Sequence, residues 1–303
     1  MTGLVLRSTG SFYEVLAEGR LYTCRVRGKI RLEGIRETNP VAVGDHVLFD
    51  LEKDEGAIRE ILPRKNHILR QSIKKTGHSQ VLAANIDQAI LVATLALPRT
   101  STGFIDRFLV SAEAFRIPQI LIFNKKDLFT ADDQEQVERL TELYERIGVR
   151  CLTLSARAGD VSLFRDALQH KITLVAGHSG VGKSTLLNNV SPSINQSTAG
   201  ISEFSQKGTH TTTFAEMFRL NEDTFVIDTP GVKEWGLVDM NEQELSDYFP
   251  EMRERRLECK FGARCLHIHE PKCAVLDAVQ QGHIAKSRYG NYVSMLTGHD
   301  NRK

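Results

Sequence analysis

Gly177-His178-Ser179-Gly180-Val181-Gly182-Lys183-Ser184 follows the apolar run Ile172-Thr173-Leu174-Val175-Ala176 and leads into the helix-compatible Thr185-Leu186-Leu187-Asn188-Asn189. A strand, a glycine-rich turn and a Lys-Ser that opens a helix form the setting a phosphate-binding P-loop requires. The glycines let backbone N–H groups turn inward onto phosphate oxygens, and the positive end of the helix assists. On this reading residues 177–185, His178, Ser179, Val181 and Thr185 included, grip a nucleoside triphosphate. Lys183 reaches the β- and γ-phosphates, and the Ser184 hydroxyl ligates Mg²⁺. The motif alone does not say which nucleotide.

Outward from this loop the pattern alternates between buried strand and amphipathic helix. Apolar runs at 89–93, 120–123, 151–154 and 172–176 suit parallel strands, and helical patterns fall at about 103–116, 131–147 and 160–169. The expected fold is an α/β doubly wound sheet, whose ligands bind at the carboxyl ends of the strands. Three such ends carry chemistry. The first is Asn124-Lys125-Lys126-Asp127, an N-K-x-D. The Asp127 carboxylate can accept from N1–H and the 2-amino group of guanine, donors that adenine lacks. The second is Ser155-Ala156-Arg157, where a backbone N–H can donate to the guanine 6-oxo group. The third, after the apolar run Phe225-Val226-Ile227, is Asp228-Thr229-Pro230-Gly231, a D-x-x-G in which Asp228 holds Mg²⁺ through water and the Gly231 N–H senses the γ-phosphate. Each tetrapeptide alone is more often a turn or cap. Together, each at the end of an expected strand, they point to guanine.

Their order is abnormal. In ordinary GTPases the P-loop comes first, whereas here N-K-x-D and S-A precede it, so the domain reads as circularly permuted. The D-x-x-G loop then runs through residues 232–240 straight into the C-terminal segment, which ties a nucleotide-sensitive loop to the next domain. Between the P-loop and D-x-x-G lies a long polar stretch containing Gly208-Thr209-His210-Thr211-Thr212-Thr213, where a switch loop belongs. Val232 stands where many GTPases place a water-orienting glutamine, and an aliphatic side chain cannot align water. Either His210 does so or a partner supplies the group, and a group in trans is worth roughly 10³–10⁵ in rate.

The flanks differ from this centre. Strand-like runs at 4–7, 12–17, 20–26, 43–51 and 58–62 fit a five-stranded barrel of the OB type. Residues 63–79 read as a polar, basic linker. Residues 1–75 carry 14 Lys/Arg against 10 Asp/Glu, residues 251–303 carry 10 against 6, and the middle holds 15 against 22. Basic ends around an acidic centre suit contact with a polyanion, and such barrels bind nucleic acid in basic grooves.

Near the C-terminus Cys259, Cys265, His267 and Cys273 read C-x5-C-x-H-x5-C. Three thiolates and one imidazole make a closed tetrahedral site suited to a structural zinc, and spacing alone leaves His269 as a competing imidazole. Helices are expected at about 242–249, 274–281 and 284–296. The segment has few large apolar residues, so metal is expected to supply much of its folding energy. Arg253, Arg255, Arg256, Lys260 and Arg264 form a basic cluster. The 303 residues allow two or three domains, and without a signal-peptide pattern or an apolar stretch of transmembrane length the default is a cytoplasmic chain with no membrane partner.

The permuted motif order, the Gly208-Thr209-His210-Thr211-Thr212-Thr213 stretch and the C-x5-C-x-H-x5-C run resemble one family over nearly the whole chain: the bacterial ribosome small-subunit-dependent GTPase A (RsgA) proteins. The resemblance implies an OB-fold RNA-binding domain over 1–66, a permuted GTPase domain over 67–238 and a helical zinc domain over 239–303. It also implies GTP hydrolysis, stimulated by the small ribosomal subunit late in its maturation, by a monomer that contacts ribosomal RNA. By motif match His210 is the catalytic switch histidine, Thr212 the Mg²⁺-sensing threonine, and His267 rather than His269 the zinc ligand.

Overall fold

The computed structural model describes residues 1–27, 40–52, 55–71, 79–191, 194, 215–229 and 240–298. The N-terminal segment forms five strands, β1 (Thr2–Ser8), β2 (Tyr13–Ala17), β3 (Arg20–Val26), β4 (His46–Glu52) and β5 (Glu55–Ile61). Side chains alternate in burial along β2, while β1 and β5 break the alternation with consecutive buried residues at Val5-Leu6 and Gly56-Ala57-Ile58. Pairing runs β1-β2-β3-β5-β4 and back to β1, with β3 and β5 parallel and every other pair antiparallel. Closure removes the sheet edges and gives an OB-like barrel around Val5, Val15, Val47, Phe49 and Ile58. At Gly56 a Cβ would stand 2.3 Å from the Cys24 sulfur, so a larger residue there would have to displace the Cys24 side chain between β5 and β3.

Part of the stretch expected to be a linker, residues 63–79, is strand, and residues 72–78 of it lie outside the described residues. His67–Gln71 (β6) pairs antiparallel with Ser79–Ala84 (β7), and Ile68 is buried with Leu82 and Ala83 in the central core. Its order comes from pairing with a distant strand, which local hydrophobic periodicity cannot reveal.

The central sheet comprises β8 (Gln88–Ala93), β9 (Gln119–Phe123), β10 (Arg150–Thr153), β11 (Ile172–Ala176), β12 (Glu216–Arg219) and β13 (Phe225–Asp228). Its order is β10-β9-β8-β11-β13-β12, parallel except for the β12–β13 pair. Helices α1 (Thr102–Glu113) and α2 (Ala131–Glu145) cover one face. Helices α3 (Ser162–Leu168) and α4 (Lys183–Val190) cover the other. Two cores result, one around Phe104, Phe108 and Tyr144, the other around Phe164, Leu186 and Leu187. The P-loop strand β11 lies in the middle of the sheet, and the strands that carry N-K-x-D and S-A precede it in the chain yet lie to one side. This is the permuted, doubly wound arrangement. Residue Arg7 on β1 pairs with Glu216 on β12, so barrel and central domain share one sheet.

The C-terminal segment departs from expectation. Leu245–Tyr248 is a single 3₁₀ turn, and an α-helix begins at Pro250 (α5, Pro250–Arg256). Proline at the first helical position starts a helix rather than ending one. Ala274–Gln280 (α6) and Lys286–Leu296 (α7) follow. The segment also has a fuller core than its composition suggests: Leu245, Phe249, Met252, Val275, Ile284, Tyr292 and Met295 pack with Val110 of α1. Among the described residues no helix is long and apolar enough to cross a membrane.

Candidate nucleotide site and metal centre

Gly182 lies in the left-handed region (φ 96°) immediately before α4, and a Cβ there would sit 2.3 Å from Asn124 Nδ2. Glycine is therefore required by both backbone conformation and close approach. Ser184 and Thr185 are exposed on the first turn of α4, where backbone N–H groups lack intrahelical partners. Lys183 is buried, and its Nζ donates to the Gly177 carbonyl at 3.0 Å. Burial lowers its pKa, and Asp228 opposes that shift. Asp228 closes β13 with Oδ1 buried and lacking a hydrogen-bond partner. Burial raises its pKa, while Lys183 pulls it down. An unsatisfied buried carboxylate oxygen is costly, and a cation at this end of the sheet would relieve it.

The base side is built around Asn124, which is 1% exposed. Its Nδ2 donates to the Val181 carbonyl at 2.8 Å, and its Oδ1 accepts from the Ala156 N–H at 3.0 Å. One amide thus fastens the N-K-x-D strand to both the P-loop and the S-A loop. Lys125 adopts φ 67° and its Nζ donates to the Leu97 carbonyl. Ser155 Oγ donates to Asp127 Oδ1 and accepts from the Ala158 N–H at 3.3 Å, which orients an exposed carboxylate. The Lys126 side chain is also exposed, while its backbone N–H donates to the Leu154 carbonyl at 3.1 Å and ties this loop to the strand end before Ser155.

At the other end, Cys259, Cys265, His267 and Cys273 are all buried, with ligand atoms within 4.8 Å of one another. His267 Nδ1 lies 3.3 Å from the Cys273 sulfur and 3.6 Å from that of Cys259. His269 is exposed on the same turn. Glu270 accepts from the N–H groups of Leu266, Ile268 and His269 and so folds the loop between ligands. Burial lowers the pKa of His267 to about 4, leaving a neutral imidazole lone pair. Burial also pushes the Cys273 thiol up to about 12. Three buried sulfurs this close, whose burial favours the neutral thiol at Cys265 and Cys273, suit a metal cation, which would invert that preference. The cluster can hold a metal ion.

Two family models match the chain: the RsgA GTPase over residues 61–238 and the RsgA N-terminal domain over residues 2–58. The chain belongs to the RsgA GTPase family. Its relatives include the small ribosomal subunit biogenesis GTPase RsgA of Christiangramia forsetii, 47% identical over 306 residues that cover 99% of this chain and 97% of the relative. The protein of the same description from Bacteroides fragilis is 48% identical, with 98% and 96% covered. Among solved structures, YjeQ from Thermotoga maritima superposes with a TM-score of 0.77 at 34% identity, covering 100% of this chain and 99% of that one. YloQ, a circularly permuted GTPase, superposes at 0.74 and 34%, covering 100% and 96%.

In this RsgA-family chain the P-loop, N-K-x-D, S-A and Asp228 meet at one edge of the sheet. His210, Thr212 and Gly231 lie outside the described residues. Two contacts have no motif to announce them. Asn189, at the far end of α4, donates to the Ala156 carbonyl at 2.6 Å and braces the S-A loop. The His178 ring stacks on Phe104 of α1, centroids 3.8 Å apart. The basic cluster is also smaller than the sequence suggests. Arg253 pairs with Glu113 and Arg256 with Asp247, which leaves Arg255 half-buried and Lys260 and Arg264 exposed.

Proposed function

We propose that this chain hydrolyses GTP in the late maturation of the small (30S) ribosomal subunit and leaves the subunit on hydrolysis. The observation that carries the proposal is the double hydrogen bond of Asn124 to Val181 and Ala156, which makes the phosphate loop and the guanine reader one object. In this reading Lys183 exchanges the Gly177 carbonyl for a β- or γ-phosphate oxygen. Asp127 and the Ala156 N–H select guanine, with Asn124, Lys125 and Lys126 framing the base. Gly177, His178, Ser179, Gly180, Val181, Gly182, Ser184 and Thr185 complete the phosphate cradle. Ser184, Thr212 and, through water, Asp228 would hold Mg²⁺, which would neutralise phosphate charge when bound. His210 orients the attacking water, and the Gly231 N–H registers the γ-phosphate. Residues 1–66 form the barrel that contacts ribosomal RNA, 67–238 the GTPase domain, and 239–303 the domain held by one structural zinc on Cys259, Cys265, His267 and Cys273. The protein works as a cytoplasmic monomer.

The direct test is GTP turnover with and without purified small subunits. Turnover is expected to rise by roughly 10³-fold or more on addition of subunits, the range for groups completed by a partner. Fast turnover without subunits, or none with them, sinks the proposal. His210→Ala should bind GTP with unchanged affinity and lose the stimulated rate. Retained stimulation would assign water orientation to another group.

Chelation supplies a second measurement. Stripping the metal removes a contribution on the order of 10 kcal/mol to the C-terminal module. Protease should then cut within residues 257–273, one zinc should be released per chain, and GDP should still bind. Loss of protection without released metal would exclude a metal-held module.

A further inference from the structure

Helix α1 touches both ends of the molecule's chemistry. In its first turn Phe104, fully buried, stacks on His178 inside the phosphate loop, rings tilted by 31°. On another face, Asp106, Val110 and Glu113 recur at i, i+4 and i+7, the spacing of one helical stripe. That stripe meets the C-terminal module. Asp106 is 0% exposed and accepts from Arg288 Nη1 at 2.6 Å, Asn291 Nδ2 at 2.6 Å and the Tyr144 hydroxyl at 3.0 Å. Arg288 also donates through Nε to Glu251 at 2.8 Å, Val110 enters the module's core, and Glu113 pairs with Arg253.

Helix α7 carries the path onward. Arg288 and Asn291 face α1, while Tyr289 and Tyr292 of the same helix donate to the carbonyls of His267 and Leu266, each at 2.8 Å. A continuous run of contacts therefore leads from the phosphate loop through Phe104, Asp106 and Arg288 to the backbone of a metal-cluster residue. It involves neither the switch stretch nor the D-x-x-G loop. Separating α1 from α7 would strand a buried charge on one side or the other, which is costly.

We propose that α1 and α7 form a rigid lever by which occupancy of the phosphate loop tightens the metal-bearing turn at 265–273, and by which order in that turn strengthens nucleotide binding. The reciprocity is a requirement of linkage. The proposal rests on the nucleotide-pocket reading above.

The test uses the full-length, zinc-loaded protein. Binding of a fluorescent N-methylanthraniloyl-GDP is measured first, then amide hydrogen exchange with and without GDP. The readout is restricted to amides that open locally, those whose exchange mild denaturant leaves unchanged. GDP is expected to slow exchange in α7 and in residues 265–273 by about five-fold or more, the lower end of ordinary site-to-site coupling. No GDP binding would overturn the pocket reading. Binding with unchanged exchange in α7 would overturn the lever alone. In Asp106→Asn/Glu251→Gln/Arg288→Met, GDP should still slow exchange in α1 while the α7 response disappears. A retained α7 response would also overturn the lever. If that variant does not fold, Phe104→Leu asks the same question from the other end: GDP binds, and the α7 response is expected to be lost.

Discussion

Asp127→Asn is expected to lower affinity for GTP by roughly 10⁴-fold while creating affinity for xanthosine 5′-triphosphate, because a site built for particular hydrogen bonds rejects a partner that cannot make them. Guanine presents N1–H and a 2-amino group, both donors, to a carboxylate that only accepts. Asparagine places an N–H where one acceptor stood, facing the 2-amino group with a second donor. Xanthine carries a 2-oxo group at that position and restores the match. The structure makes this a clean substitution. Asp127 is exposed and its Oδ1 accepts from Ser155 Oγ, a bond that the asparagine carbonyl can keep. Asn124, which carries the scaffold, is untouched. Competition titrations with GTP, ATP and xanthosine triphosphate decide it. Loss of GTP binding with no gain toward xanthosine triphosphate would mean that the loop has collapsed, and unchanged GTP affinity would remove Asp127 from base recognition.

The contrast between Asp127 and Asn124 also shows what a sequence exposes and what it hides. The N-K-x-D stretch is legible because strand, loop and chemistry lie within a few residues, as they do for the P-loop and the zinc-type run. The work of Asn124 depends on Val181 and Ala156, 57 and 32 residues away, and no local pattern encodes those distances. The same limit governs the fold. Strands β1 to β5 and β8 to β11 alternate or run apolar in ways that read directly. β6 sits in a polar stretch and owes its order to β7. Helix α5 was hidden by Pro250, which reads equally as a stop or a start until the preceding turn is seen to be 3₁₀. Asp106 and Arg288 are charged residues on helices, and only the packing of α1 against α7 shows that both are buried. A charge pattern at helical spacing does not say which side water is on.

That burial sets the second large effect. Arg288→Met is expected to destabilise the protein by about 3–5 kcal/mol, the penalty for removing one partner of a buried ionic group. Arg288 is 1% exposed, and methionine approximates its stem, so packing loss is small and the uncompensated charge dominates. Burial works against the Arg288 charge, but Asp106 and Glu251 beside it outweigh that and hold its pKa above the ordinary arginine value. Burial also raises the pKa of Asp106, and Arg288 is the first of the groups that pull it down. With the guanidinium gone, the folded-state pKa of Asp106 climbs further above its unfolded value near 3.9. A folded pKa raised above the unfolded one means that the protonated form is favoured in the fold. The variant therefore loses stability as pH rises from about 4 through that raised pKa, by up to about 1.4 kcal/mol per unit. The deficit relative to wild type should be smaller near pH 5 than near pH 8 in urea unfolding. Asp106→Asn/Glu251→Gln/Arg288→Met, which removes every charge of the network, should recover most of the loss and its pH dependence, since replacing a whole buried ionic group is often close to neutral. A deficit below about 1 kcal/mol, the worth of an exposed pair, would place Arg288 in contact with water. A pH-independent deficit would assign the loss to packing rather than to charge.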